Sequence, residues 1–158
     1  MNMFSLWVVG RQVIDEWGQT AFLGLLGAAS VAGGVAQMAI SPHGVLVGLS
    51  GGIFGLVVAA TLDWGDRAVA LGFGRFHFAR LRGRSIAWGV LAASILMAAW
   101  SVLWPKTAGP VGYACHAGGA ITGALAVGLS RLAKKLRRLT DSPSSVPRAG
   151  RIHPPPGS

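Results

Sequence analysis

Charge is missing from long tracts of this chain, and that absence decides the solvent in which it can fold. Residues 20–40, 48–62, 86–104 and 111–130 contain no Asp, Glu, Lys or Arg, and neither does a shorter tract at 3–10. With 52% hydrophobic and only 12% charged residues, and a mean hydropathy of +0.54, the chain has too little polar surface to coat a soluble globule of 158 residues. It reads as a membrane protein. Most of the tracts approach the roughly 20 residues that carry a helix across a ~30 Å hydrocarbon core. None alternates with the period of two that marks a membrane β-strand, so the expected class is all-α, a polytopic bundle of about five helices.

The net charge of +9 is distributed by topology. Arg67, Arg75, Arg80, Arg82 and Arg84 lie in the connection 62–85. Arg131, Lys134, Lys135, Arg137, Arg138, Arg148 and Arg151 follow the last apolar tract, and Arg11 follows the first. Only Lys106 falls in a loop of the opposite parity. The positive-inside rule makes the basic segments cytoplasmic and turns 41–47 and 105–110 outward. Anionic lipid headgroups are the expected partner of this charge. A nucleic-acid partner is not, because no basic stripe stands apart from a membrane flank.

The single cysteine, Cys115, excludes an internal disulfide. His116 is its neighbour, but adjacent helical residues point about 100° apart, so Cys115 is read as packing. No two His, Cys or acidic residues share a helix face at ligand spacing, so no metal and no cofactor is expected. The first residues show no basic stretch followed by a cleavage site. The sequence divides into a membrane domain at 1–139 and a Ser-, Pro- and Arg-rich cytoplasmic tail at 140–158 that is expected to be disordered.

Glycine within a helix costs about 1 kcal/mol relative to alanine, so repeated helical glycines need a reason. Gly51 and Gly55, and then Gly119 and Gly123, recur at a spacing of four, and the pairs Gly24/Ala28 and Ala29/Gly33 continue the pattern. Such ridges let helix backbones approach closely in lipid.

Among these glycines stand two polar residues, Ser50 and His116. Counted from Asp63 and Arg131 as inner boundaries, they lie 13 and 15 residues along their helices. At ~1.5 Å per residue this places them roughly 20 and 22 Å from the inner boundary, at nearly one level and about 10 Å below the outer surface. The tract from Ser50 to Asp63 is too short to span. Irregular backbone must therefore enter the membrane before Ser50, which is tolerated where it is buried in protein or lines a water-filled cavity. A serine beside a histidine in such a pocket is a nucleophile beside a general base. Each also has a plain structural use, Ser50 as a helix N-cap and His116 as a buried ring satisfied by a neighbouring hydroxyl or carbonyl. His77 and His153 fall in cytoplasmic segments, and His43 is a reserve candidate in an outward loop.

These residues carry a family resemblance. Gly48-x-Ser50-Gly51, followed by Phe54 and Gly55, resembles the fourth-helix motif of rhomboid intramembrane serine proteases, and His116-Ala117-Gly118-Gly119-x-x-x-Gly123 resembles their sixth-helix histidine motif. Asn2-Met3-x-x-Leu6, with Gly10 and Gly18, is similar to the second helix, where the Asn of His-x-x-x-Asn helps form the oxyanion hole. The likeness extends from Met1 to about Leu132. It implies a Ser50–His116 dyad without an acidic third member, an oxyanion hole from Asn2 and the Ser50 backbone N–H, and active-site packing by Phe54, Gly48, Gly51, Gly119 and Gly123. It also implies cleavage of transmembrane substrates.

The chain departs from the family pattern at its start. The first helix and its long following loop have no counterpart, and the histidine of His-x-x-x-Asn would fall two residues before Met1. The expectation is that Met1 is an internal methionine and the natural protein starts upstream; the rival is a fragment of five helices with an exposed N-terminus beside the active site and weak or no activity. The family's glutamate would fall at Ile14, beside Asp15 and Glu16. The function implied is that of a serine endopeptidase acting within the membrane; the alternative is a catalytically inactive rhomboid-like protein that binds transmembrane clients.

Overall fold

The computed structural model describes residues 2–41, 48–73, 76–106 and 111–140, with the backbone alone for 70–73 and 76–79. Five helices and a β-hairpin follow one another: α1 Asn2–Trp17, α2 Gln19–Ile40, α3 Ser50–Trp64, β1 Ala68–Phe73, β2 Phe76–Arg82, α4 Gly83–Leu103 and α5 Tyr113–Thr140. The helices α2 and α4, of 22 and 21 residues, are long and apolar enough to cross a membrane, whereas the apolar α3 has 15 residues. His43 and the tail from 141 onward lie outside the described residues.

Three boundaries differ from the sequence reading. The first helix does not stop near Gly10 but continues through Arg11 to Trp17. It ends at Gly18, whose φ of 85° only glycine adopts readily and whose N–H caps the carbonyl of Ile14 at 2.9 Å. The basic connection after α3 is not an open loop. Ala68 pairs with Arg82 and Phe73 with Phe76 in an antiparallel hairpin, its register shifted between Leu71 and Gly72. Asp66 holds its base, 2.9 Å from Arg84 and 3.7 Å from Arg82. Finally, α5 runs ten residues past Ser130 into the basic segment, where every residue is exposed.

All helices are aligned between two ends. At one end Asn2, Ser50, His116 and Gln37 come together; at the other lie Glu16, Trp17, Asp63, Gly83 and Arg131. Helices α1, α3 and α5 therefore run one way and α2 and α4 the other. Glu16 clamps the second end, accepting hydrogen bonds from the Trp64 indole and from Arg67, each at 3.2 Å. The α1 acid that ties this helix to α3 is thus two residues beyond Ile14, which is itself 37% exposed.

Helix α3 is central and touches the other four. Two kinds of packing hold it. Toward the Glu16 end the core is made of side chains, with Val13, Phe22, Leu25, Leu56, Ala59, Ala60 and Val127 in one buried cluster. Toward the Ser50 end, backbone meets backbone. A Cβ added to Gly119 would overlap the Gly51 carbonyl oxygen, and one on Gly123 would overlap that of Gly55. A Cβ on Gly33 would stand 2.6 Å from the Cys115 carbonyl oxygen, and one on Gly118 2.9 Å from that of Ala32. The Gly24/Ala28 pair does not join this packing: both residues are exposed and a Cβ on Gly24 meets nothing within 4 Å. Four-residue spacing alone does not reveal which face of a helix is turned inward.

Candidate active site

Ser50 is the first residue of α3, and its hydroxyl does not cap the helix. The N-cap position is Leu49, and no side chain caps there. The Ser50 Oγ instead lies 2.9 Å from His116 Nε2, hydrogen-bonding distance across 66 residues of sequence, with the imidazole tautomer deciding which atom donates. Both residues are half-buried.

Their meeting follows from the glycine packing. Gly51 faces Cys115 and Gly119, one residue and one turn from the pair, so the backbones of α3 and α5 are close enough for a short serine side chain to reach the ring. The Arg131 Nη2 group donates to the Leu62 carbonyl oxygen at 2.6 Å and ties the far ends of the same two helices. The two contacts fix the helices in parallel register.

The His116 ring is held on two sides. Phe54, one turn after Ser50, stacks on it with centroids 4.3 Å apart and planes 1° from parallel. Tyr113, one turn before it on α5, meets its plane edge-on at 6.3 Å and 86°. Two aromatic contacts on one imidazole restrict its rotation and keep Nε2 aimed at Ser50.

Asn2 is brought to the same place. Its amide nitrogen lies 3.3 Å from where a Cβ on Gly48 would stand, and the Gly48 φ of 107° is one that favours glycine. The Ser50 N–H, in the first turn of α3, has no acceptor among the described residues. Helix N-terminal N–H groups carry a partial positive charge and favour an anion. The described acids Asp15, Glu16, Asp63 and Asp66 all belong to the opposite end, where Glu16, Asp63 and Asp66 are already engaged. No cluster suited to a metal ion occurs among the described residues.

Two participants were not anticipated. Tyr113 precedes His116 by three residues, a spacing that puts both on one helix face, and this could have flagged it. Gln37, an amide near the end of the apolar α2, accepts a hydrogen bond from the Cys115 N–H at 3.3 Å and so supports the turn that carries His116. Cys115 is buried between α2 and α3, its Sγ 2.6 Å from a Cβ position on Gly51 and 2.9 Å from one on Gly33.

No curated protein and no solved structure matches this chain. A family model described as the Rhomboid domain matches residues 1–132, a span that includes all five helices up to the point where α5 becomes basic. With most of its length matched, the chain belongs to the rhomboid family of membrane proteins.

Proposed function

We propose that this chain is an intramembrane serine endopeptidase that cleaves transmembrane substrates with Ser50 and His116. The observation that carries this reading is the 2.9 Å approach of Ser50 Oγ to His116 Nε2 on two helices keyed by glycine. His116 takes the proton as Ser50 Oγ attacks the scissile carbonyl, and returns it to the leaving amine. The oxyanion is met by the Ser50 N–H and the Asn2 amide, each donor contributing roughly 3–4 kcal/mol where such holes have been dissected. In this reading the basic hairpin and the basic end of α5 face the cytoplasm, and the dyad opens toward the outer surface.

A fluorophosphonate probe tests this in proteoliposomes. Covalent attachment confined to the Ser50 peptide, and lost in His116→Ala, is the expected result. No adduct, together with Ser50-indifferent capture of a transmembrane client, would instead identify an inactive binding protein.

The stack on His116 leads to a smaller prediction. Aromatic pairs contribute about 0.5–1.5 kcal/mol beyond burial, so Phe54→Ala is expected to slow cleavage of a transmembrane reporter by about 2- to 10-fold, and Phe54→Tyr to leave it near the native rate.

A further inference from the structure

A cavity of about 270 Å³ lies at the end of the bundle opposite Ser50, where α2, α5 and the last turn of α3 meet. Leu25, Ala126 and Val127 make its apolar floor; Trp17, Asp63 and Lys134 stand at its edge. Leu25 and Val127 are buried, whereas Asp63 and Lys134 are exposed, so the cavity grades from hydrocarbon-like to wet along its depth.

The two charges are not paired with each other. Asp63 and Lys134 line one cavity, yet no ion pair joins them and the Lys134 ammonium has no ion pair or hydrogen bond among the described residues. Asp63 accepts a hydrogen bond from the Trp17 indole N–H at 3.0 Å through Oδ2, which orients the carboxylate and leaves Oδ1 without a partner among the described residues. A ligand complementary to this edge carries both a cation and an anion, with an aliphatic chain for the floor.

We propose that this cavity binds a glycerophospholipid with a zwitterionic, primary-ammonium headgroup, phosphatidylethanolamine. The ammonium donates to Asp63, the phosphate accepts from Lys134, and the first methylenes of one acyl chain lie over Leu25 and Val127. A choline headgroup has no N–H to donate, and a glycerol headgroup has no cation for Asp63. The volume suits a headgroup and the start of a chain rather than a whole lipid. Placement at the basic end of the bundle, beside an interfacial tryptophan, sets the site at headgroup depth. The proposal rests on membrane insertion and not on the chemistry of Ser50.

Native mass spectrometry of the full chain, offered equal amounts of phosphatidylethanolamine, phosphatidylcholine and phosphatidylglycerol with identical acyl chains, tests it. Retention of the ethanolamine lipid about tenfold above the other two is expected, the worth of one charge-assisted hydrogen bond. Asp63→Asn keeps an oxygen for the Trp17 indole and should remove the preference. Lys134→Gln should lower retention of all three lipids, and Ala126→Phe, which fills the floor, should abolish it. Equal retention of the three lipids, preference for the glycerol lipid, or an ethanolamine preference that survives Asp63→Asn would overturn the proposal. Fluorophosphonate labelling of Ser50 is expected to persist in Asp63→Asn, which separates failure here from failure of the protease reading.

Discussion

Ser50→Ala is expected to reduce cleavage of a transmembrane reporter by about 10⁶-fold, the scale seen when a nucleophile or its base is removed from serine hydrolases whose groups act as a unit. The substitution removes one oxygen from a half-buried position and leaves the α3–α5 backbone contacts in place, so expression and thermal stability should stay close to the parent. His116→Ala should match it in activity. It also deletes the ring between Phe54 and Tyr113, so this variant is expected to lose some stability as well. The double variant should be no slower than either single one, since each already disables the same step. Cleavage by Ser50→Ala at more than a hundredth of the parent rate would rule out Ser50 as the nucleophile.

Gly119→Val is expected to have the second large effect, on folding itself. Even the first carbon of the new side chain overlaps the Gly51 carbonyl oxygen, a backbone atom that no rotamer change can move aside. The helices α3 and α5 must separate, and separation carries Ser50 away from His116. Overpacking in a tight interior typically costs about 1–3 kcal/mol, and a clash with backbone lies at or above the top of that range. Gly119→Ala should therefore lower the thermal midpoint of the purified chain sharply and suppress labelling of Ser50, and Gly119→Val should yield little folded protein. The control is Gly128→Ala on the same helix, where an added Cβ meets nothing within 4 Å. That change should raise stability by up to ~1 kcal/mol through helix propensity. Equal behaviour of Gly119→Ala and Gly128→Ala would refute the backbone-contact argument.

The apolar tracts made the helices legible because exclusion of charge is a strong demand of the bilayer, and the level of Ser50 and His116 could be counted because helices rise at a constant rate. What the sequence concealed lies where that demand lapses. Arg11 to Trp17, the hairpin and the basic end of α5 are outside or at the edge of the apolar tracts, and there local hydrogen bonding sets the structure. The short alternations Phe76-His77-Phe78 and Ala79-Arg80-Leu81-Arg82 were a strand signal overshadowed by the arginines. Glycine spacing identified Gly51, Gly55, Gly119 and Gly123 together with the outward-facing Gly24, because a four-residue repeat fixes a face and not the direction in which it points.

The parallel pairing of α3 and α5 has a mechanical consequence. The two helices that carry Ser50 and His116 share one direction and are keyed at Gly51–Gly119, at Gly55–Gly123 and at Leu62–Arg131, so a bilayer that thins or thickens tilts them together. Such a tilt produces no sliding between them, whereas a slip of one residue, ~1.5 Å, would be enough to break the hydrogen bond. The alignment of serine and histidine is thereby insulated from changes in lipid thickness.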